Sequence, residues 1–262
     1  MLNYIRSELY KTFRRKYLYI FTGICCLLCV GVNLSAFFSN QKYGAIVDFD
    51  GVLCMGMMMF PAVTYLMLIT TDIVFSDEYK HGTFKNVISY GVPRWQVYFG
   101  KLCVSILITA LFGAVILGVF MLSAFLSVPM SEQSGYVLQW FWAYLGGAIP
   151  IWVSGICLAV MLFSIVRSST AASFIYAGIL AFLGPIMPIL EYYVSGFFAS
   201  VHAWLPMSVM DSWSACMMKI DITQVNTVFS TGLFAHSWAV GVLWIVGTCL
   251  VGYLVFRKKE IK

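Results

Sequence analysis

The sequence predicts an all-α polytopic membrane protein with six transmembrane helices. Hydrophobic residues make up 61% of its 262 residues and charged residues only 10%, which excludes a disordered chain and disfavours a soluble domain. Six stretches contain no Asp, Glu, Lys or Arg, and each is long enough to cross a hydrocarbon core of about 30 Å, which takes roughly 20 helical residues. These stretches are residues 17–38, 52–71, 102–131, 133–166, 168–190 and 222–256.

The positions of Lys and Arg predict which ends of the spans face the cytoplasm. With six spans and both termini inside, 14 of the 16 basic residues fall in cytoplasmic segments, and only Lys42 and Lys219 fall outside. Lys and Arg stay on the cytoplasmic side because their translocation is unfavourable. This placement also accounts for the net charge of +5 without a nucleic-acid partner. The inside set is Arg6, Lys11, Arg14, Arg15, Lys16, Lys80, Lys85, Arg94, Lys101, Arg167, Arg257, Lys258, Lys259 and Lys262.

Residues 1–16, before the first span, have the pattern of an amphipathic helix. Leu2, Ile5, Leu9 and Phe13 fall close to one side of such a helix. The pattern predicts a helix along the inner membrane surface, although a simple basic flanking tail would carry the same charges. The apolar run that follows is too long for a signal-peptide core, so we expect it to be retained. The charged residues of this interfacial helix are Arg6, Glu8, Lys11, Arg14 and Arg15.

The other elements follow from the charge-free runs and the breaks between them. We expect spans near 17–38, 52–75, 102–128, 138–166, 171–190 and 237–256, with Pro61 bending the second and Pro185 and Pro188 ending the fifth. Segment 191–236 is moderately apolar and interrupted, which predicts one or two short re-entrant helices in the outer leaflet. A seventh span there would place the basic C-terminus outside. The whole chain, 1–262, is expected to be one transmembrane domain.

No motif predicts catalysis or metal binding. Zinc-binding His-Glu-x-x-His, the nucleophile motif Gly-x-Ser-x-Gly and the ATP-binding Walker A sequence are all absent. All Cys residues except Cys216 lie in or at the start of predicted spans, where Cys behaves as a small apolar residue. We therefore expect no metal site and no enzyme. Asp72, at the inner end of the second span, is expected to cap the membrane boundary or to pair with a loop cation.

The loop 76–101 is the most polar segment of the chain and carries the clearest local pattern. A short helix from Thr83 to about Ser89 is expected, with Thr83 as N-cap and Gly91 as the C-terminal stop. Phe84, Val87 and Ile88 give this helix an apolar side. Such a helix at the membrane surface suits docking on a soluble partner; a solvated loop that serves only topology is the alternative.

The stretch Glu78-Tyr-Lys-His-Gly82-Thr83, followed by Gly91-Val-Pro-Arg94 and Lys101, resembles the first cytoplasmic loop of ABC-2 type transporter permeases. The layout of interfacial helix, six spans, re-entrant helices and basic C-terminus is similar too. The opening Ser7-Glu-Leu-Tyr-Lys resembles small bacterial permeases of lantibiotic and bacitracin self-protection. The resemblance places the chain in a bacterial plasma membrane and links it to antimicrobial peptide resistance.

The resemblance implies a dimer of permeases, with a second copy or a paralogue, and ABC ATPase subunits supplied by another chain. ATP and Mg²⁺ would be bound by that ATPase and not by this chain. Residues 82–90 would form the coupling helix in a groove of the ATPase, while Glu78, Lys85 and Arg94 would contact the ATPase, the interfacial helix or anionic lipid. The implied coupling residues are Glu78, Gly82, Thr83, Phe84, Lys85, Asn86, Val87, Ile88, Gly91 and Arg94.

The cargo is expected to be amphipathic. The spans are rich in Met and aromatic residues, and we take Met58, Tyr65 and Trp152 as candidates for contact with cargo, although such residues equally suit contact with lipid and neighbouring helices. The predicted function is an ATP-driven exporter subunit for an antimicrobial peptide, lipid-like molecule or drug. The alternative is a non-transporting immunity or sensor-partner protein that binds its target directly.

Overall fold

A computed structural model of the chain describes residues 1–44, 47–81, 91–166, 168–219 and 232–258. Within these ranges the regular secondary structure is helical, with no strand. The ten helices of these ranges are α1 (Leu2–Phe13), α2 (Lys16–Tyr43), α3 (Phe49–Met58), α4 (Phe60–His81), α5 (Arg94–Ser127), α6 (Ser134–Ile165), α7 (Ser169–Tyr193), α8 (Phe197–Ala203), α9 (Pro206–Lys219) and α10 (Leu233–Lys258).

Five helices are long and apolar enough to cross a membrane: α2, α5, α6, α7 and α10. A sixth crossing exists if α3 and the Phe60–Phe75 part of α4 form one span, which is bent by 53°. The prediction of an all-helical, multi-pass membrane protein is confirmed, with five or six candidate crossings in the described part of the chain.

The bend between α3 and α4 lies at Met59, close to the predicted position at Pro61. The Met59 amide donates to the carbonyl oxygen of Gly56 at 3.1 Å, which tightens the last turn of α3. Pro61 then falls in the first turn of α4, where its missing N–H group is not needed by the helix. The chain thus changes direction between α3 and α4 with little loss of backbone hydrogen bonds.

Most of the long helices extend beyond the expected spans, and two of these differences have a clear cause. α5 begins at Arg94, eight residues before the predicted span, because the helix continues through a polar turn after Pro93. α7 runs through Pro185 and Pro188 to Tyr193 instead of ending at the prolines. Membrane helices tolerate proline because neighbouring helices and local adjustments satisfy the freed carbonyl groups. The charge-free runs therefore coincide with long apolar helices but do not give the ends of those helices.

α6 is the central helix. In its most apolar window 72% of residues are buried, against 17% for α2 and 11% for α7. α6 makes its most extensive contact with α10, while α2 packs mainly on α5. Gly252 of α10 lies directly against Tyr98 of α5 and Met161 of α6, and an added Cβ would clash with the Tyr98 hydroxyl. α5, α6 and α10 therefore approach one another closely at the level of Gly252.

The helices run up and down, so the bundle has two ends. We call the end that holds α1, the C-terminus of α4 and the N-terminus of α5 the α1 end, and the end that holds α3, α8 and α9 the α9 end. Each end has its own apolar core, one around Phe75 and Phe163 and one around Phe141 and Trp213. Segment 191–236 contributes α8 and α9, two short helices as predicted; their depth in the membrane stays a prediction, and residues 220–231 lie outside the described ranges.

Candidate functional site

The predicted coupling helix, residues 82–90, lies outside the described residues, but the chain on either side of it is described. α4 ends at His81 and α5 begins at Arg94, and Glu78 is in the last turn of α4. Gly91 has φ +84, a left-handed conformation that glycine adopts readily and that suits the predicted helix stop. Seven predicted coupling residues lie outside the described residues: Gly82, Thr83, Phe84, Lys85, Asn86, Val87 and Ile88.

Arg94 connects the first turn of α5 to the last turn of α10. Its guanidinium Nη1 donates to the carbonyl oxygen of Arg257 at 2.6 Å. Carbonyl groups at a helix C-terminus lack partners within the helix, and a guanidinium suits them in charge and geometry. Arg94, predicted as a coupling residue, therefore links the segment after Gly91 to the C-terminal helix.

A buried ion pair joins α1 to α5. Glu8 of α1 is 2% exposed and Lys101 of α5 is 1% exposed, and Lys101 Nζ lies 3.1 Å from Glu8 Oε2. The other carboxylate oxygen, Oε1, accepts a hydrogen bond from Lys11 Nζ at 2.6 Å. The Lys101 ammonium also lies over the Phe75 ring of α4, 4.9 Å from its centroid. We call Glu8, Lys11, Phe75 and Lys101 the Glu8 cluster.

The electrostatics of the cluster keep Glu8 ionised. Burial alone would raise the pKa of the Glu8 carboxyl, but the charges of Lys101 and Lys11 and their hydrogen bonds outweigh burial and lower that pKa below its ordinary value of 4.5. A buried pair of this kind adds little net stability, yet removal of one partner leaves an uncompensated charge. The cluster therefore fixes the position of α1 with high specificity.

Further contacts hold α1 against the bundle. The Tyr4 ring lies on Gly100, where an added Cβ would be 2.6 Å from Tyr4 Cδ1. The Thr12 hydroxyl donates within α1 to the Glu8 carbonyl oxygen at 2.8 Å, and the guanidinium of Arg15, which follows α1, donates to the carbonyl oxygen of Ile73 in α4. α1 and the link that follows it thus contact both helices that flank residues 82–90.

The buried side of α1 matches the apolar pattern only in part: Ile5 and Leu9 pack against the core, but the two ends of the pattern do not. Leu2 is 82% exposed and Phe13 is exposed, while Glu8 and Thr12 are buried. Of the five charged residues predicted for this helix, Glu8, Lys11 and Arg15 contact other groups as above, whereas Arg6 and Arg14 are exposed. Arg14 lies over the Tyr10 ring at 4.6 Å. The exposed apolar and basic side chains are available to a membrane surface.

Sequence reasoning noted Glu8 and Lys101 separately and did not pair them. They are 93 positions apart, so no helical periodicity relates them. One signal was present: Lys101 stands within a helix of otherwise uncharged residues from Gln96 to Ser127. A lone Lys at that place needs an acidic partner when it is buried, and Glu8 is the acid of the preceding α1.

The three residues considered for cargo lie in different surroundings. Met58 is 40% exposed beside the α3–α4 bend, and Tyr65 of α4 is half-buried. The Trp152 indole N–H donates to the carbonyl oxygen of Phe60 at 3.2 Å, and its ring meets the Phe60 ring edge-on at 5.3 Å. Trp152 therefore joins α6 to the start of α4, while Met58 and Tyr65 remain accessible from outside the bundle.

One cavity lies between α7, α9 and α10. Its apolar walls include Ile179, Leu183, Met207 and Trp244. Its volume of about 10 Å³ is roughly that of one water molecule, so it does not hold a peptide or a lipid. Among the described residues, no three His, Cys, Asp or Glu side chains lie close enough to hold a metal ion.

Comparison with known proteins matches residues 4–184, more than two thirds of the chain, to the family described as ABC-2 family transporter protein. The chain belongs to the ABC-2 transporter family. The match begins in α1 and ends in α7, so it includes the Glu8 cluster and the whole of the predicted coupling loop. No curated protein matches the chain. Permeases of this family are transmembrane components that work with ABC ATPase subunits, so this permease is a membrane transport subunit.

Proposed function

We propose that this permease is the transmembrane subunit of an ATP-driven exporter of amphipathic cargo, with the α1 end in the cytoplasm. The observation that carries the proposal is the Glu8–Lys101 pair, which joins α1 to the N-terminal turns of α5 directly after the predicted coupling helix. An ATPase that displaces residues 82–90 would displace the α5 N-terminus and α1 together.

The Glu8 cluster supports a rigid connection between α1 and α5. α5 is a single helix of 34 residues, so a displacement of its first turns moves the whole helix along the span. Arg94 and Tyr98 extend the connection to α10 through Arg257 and Gly252. Rocking between two packed arrangements is the type of motion by which nucleotide-driven transporters switch access.

The orientation of the proposed subunit rests on charge. Fourteen of the 16 basic residues fall on the cytoplasmic side when the bent α3–α4 pair counts as one of six spans. Arg6 and Arg14, exposed on α1, then face anionic lipid headgroups, and α8 and α9 lie at the outer surface. The membrane is that of a bacterium, and the complex contains a second permease, either a copy of this chain or a paralogue.

The proposed cargo is an antimicrobial peptide or another amphipathic molecule. The candidate spans carry almost no charge, which disfavours sugars, nucleotides and inorganic ions, and the exposed sides of α2 and α7 are apolar. A second permease packed against such a side would enclose a path lined by Met and aromatic residues. ATP and Mg²⁺ would be held by the ATPase.

Co-purification with ATPase chains from the same operon, followed by ATPase and export assays in nanodiscs and vesicles, tests this proposal. We expect a stable complex whose export is lost when Gly82 is replaced by Trp or Glu8 by Met. Replacement of Glu191 by Gln, an exposed acid at the α9 end, is the matched control and should leave export intact. A chain that purifies alone and protects cells without any ATPase would instead be an immunity or sensor-partner protein.

A further inference from the structure

One side of α4 carries polar groups although it is only partly buried. Ala62, Tyr65, Ile69 and Asp72 follow one another at spacings of three and four residues, and all are exposed or half-buried. Thr64, Met67 and Thr71, on the other side, are buried. A stripe in contact with lipid alone would be apolar throughout. The tyrosine and the aspartate indicate that this stripe meets something more polar than hydrocarbon.

The stripe is bordered by α7 and α9. The Tyr176 hydroxyl of α7 donates to the Thr64 carbonyl oxygen at 2.7 Å, and the Ser169 hydroxyl donates to the Asp72 carboxylate. α9 contacts both α4 and α7 at the other end of the bundle. The stripe therefore runs beside α7, and α9 packs against α4 at the α9 end of the bundle.

Buried contacts of Trp213 and Tyr144 hold α9 rigidly beside the α4 stripe. Trp213 is 1% exposed, stacks on the Tyr144 ring at 5.1 Å, and donates from its indole N–H to the Ser237 hydroxyl at 2.7 Å. The Tyr144 hydroxyl donates to the Met210 carbonyl oxygen at 3.0 Å. Asp211 lies between these two anchored residues, so its direction is fixed by the packing of α9.

Asp211 is a carboxylate without a counter-ion among the described residues. It forms no hydrogen bond or ion pair within that part of the chain. Its helix, α9, packs on α4, and the charge of Asp211 is close enough to act on Tyr65. Burial raises the pKa of its carboxyl, and the neighbouring His202 opposes that rise. Asp72, by contrast, already accepts a hydrogen bond from Ser169.

We propose that Asp211 and Tyr65 bind the positively charged group of the cargo. The carboxylate supplies the opposite charge, and the Tyr65 ring supplies an aromatic face for an ammonium or guanidinium group. The apolar part of the same molecule then lies along Ala62 and Ile69. The cargo class is a cationic amphipathic molecule, and the proposal rests on the exporter function proposed above.

Two fluorescent probes separate charge recognition from general affinity for apolar molecules. Rhodamine 6G is cationic and amphipathic, and Nile red is neutral and apolar. Binding and export of each are measured with the complete complex of permease and ATPase. The variants are Asp211→Asn, Asp211→Glu and Tyr65→Leu, with Glu191→Gln as the matched control on the exposed end of α7.

For Asp211→Asn we expect rhodamine 6G affinity to fall about fivefold, as for loss of a partly exposed charge pair, with Nile red affinity unchanged. Tyr65→Leu should weaken rhodamine 6G about threefold, the size of an exposed cation–π contact. Asp211→Glu should retain most of the affinity. Equal loss of both probes, or no loss of either, with Asp211→Asn would overturn the proposal. If the wild-type complex binds and exports neither probe, the cargo proposal is overturned, while the exporter function is judged separately by the co-purification and export assays above.

Discussion

Removal of the Glu8 carboxylate tests whether α1 is part of the moving body of the permease. Glu8→Met deletes the acid but keeps an unbranched side chain of similar length. The Lys101 ammonium, 1% exposed, would then lose the carboxylate oxygen that lies 3.1 Å from it and would stay buried beside the Phe75 ring. Lys11 would lose its 2.6 Å hydrogen bond, but its side chain is 53% exposed and water can replace the lost partner.

The expected loss of stability follows from the burial of the Glu8–Lys101 pair. Breaking a buried pair by removing one partner costs about 3–5 kcal/mol because the other charge stays buried. Lys11→Met removes a largely solvated partner and should cost about 0–1 kcal/mol. The double variant Glu8→Met, Lys101→Met removes both buried charges and fills the site with apolar atoms, which in comparable sites is often close to neutral. The double variant should therefore be more stable than the single Glu8 variant.

Hydrogen–deuterium exchange of the α1 amides measures this directly, since local opening of α1 exposes them. A loss of about 3 kcal/mol corresponds to exchange faster by more than a hundredfold for Glu8→Met. Lys11→Met should change exchange by about fivefold at most, and the double variant should return toward wild type. The reasoning is refuted if the Lys11 and Glu8 variants exchange alike, or if the double variant exchanges faster than both single variants.

Three further expectations follow. Gly252→Ala should lower the unfolding midpoint, at a cost of about 1–3 kcal/mol, because its Cβ would meet Tyr98; Gly247→Ala, with open space around it, is the control and should not. Asn33→Leu should cost about 1 kcal/mol in detergent unfolding, since Asn33 Nδ2 donates to the Phe120 carbonyl oxygen at 3.1 Å and joins α2 to α5. Because the pKa of Glu8 is lowered on folding, stability should be level above about pH 4.5 and fall below it, and Glu8→Met should remove that acid-dependent part.

Each of these expectations can fail on its own. Equal loss of stability in the two glycine variants would show that the Tyr98 contact is loose. An Asn33→Leu protein as stable as wild type would mean that lipid packing replaces the hydrogen bond. Acid unfolding that keeps the same slope in Glu8→Met would assign it to other carboxylates.

The spans were predictable because they depend on composition over long windows. A charge-free run of 20 residues has few alternatives to a membrane helix, so the runs around 17–38 and 133–166 correspond directly to α2 and α6. Helix ends were less predictable, since a backbone helix continues through polar residues and through proline when its neighbours satisfy it. This explains the early start of α5 at Arg94 and the continuation of α7 past Pro188.

The Glu8 cluster could not be predicted from the sequence, for a different reason. The pattern on α1 predicts that apolar residues face one way, but tertiary packing buries Glu8 because Lys101 arrives from a helix 93 residues away. Similarly, the sequence presents Asp211 only as an acid of an outer loop. The structure places it on α9, which Trp213 anchors and which packs on α4 beside the stripe. Local patterns locate helices, whereas the sites depend on which helices meet.

The most direct test of the account is photo-crosslinking of the permease in whole membranes. A benzoylphenylalanine at position 84, in the predicted coupling helix, should crosslink to an ABC ATPase subunit identified by mass spectrometry. The same group at position 195, in the exposed connection between α7 and α8 at the α9 end, should not. Crosslinking of the ATPase from position 195, or its absence from position 84 in a complex that hydrolyses ATP, would contradict the coupling role and the orientation proposed for this permease.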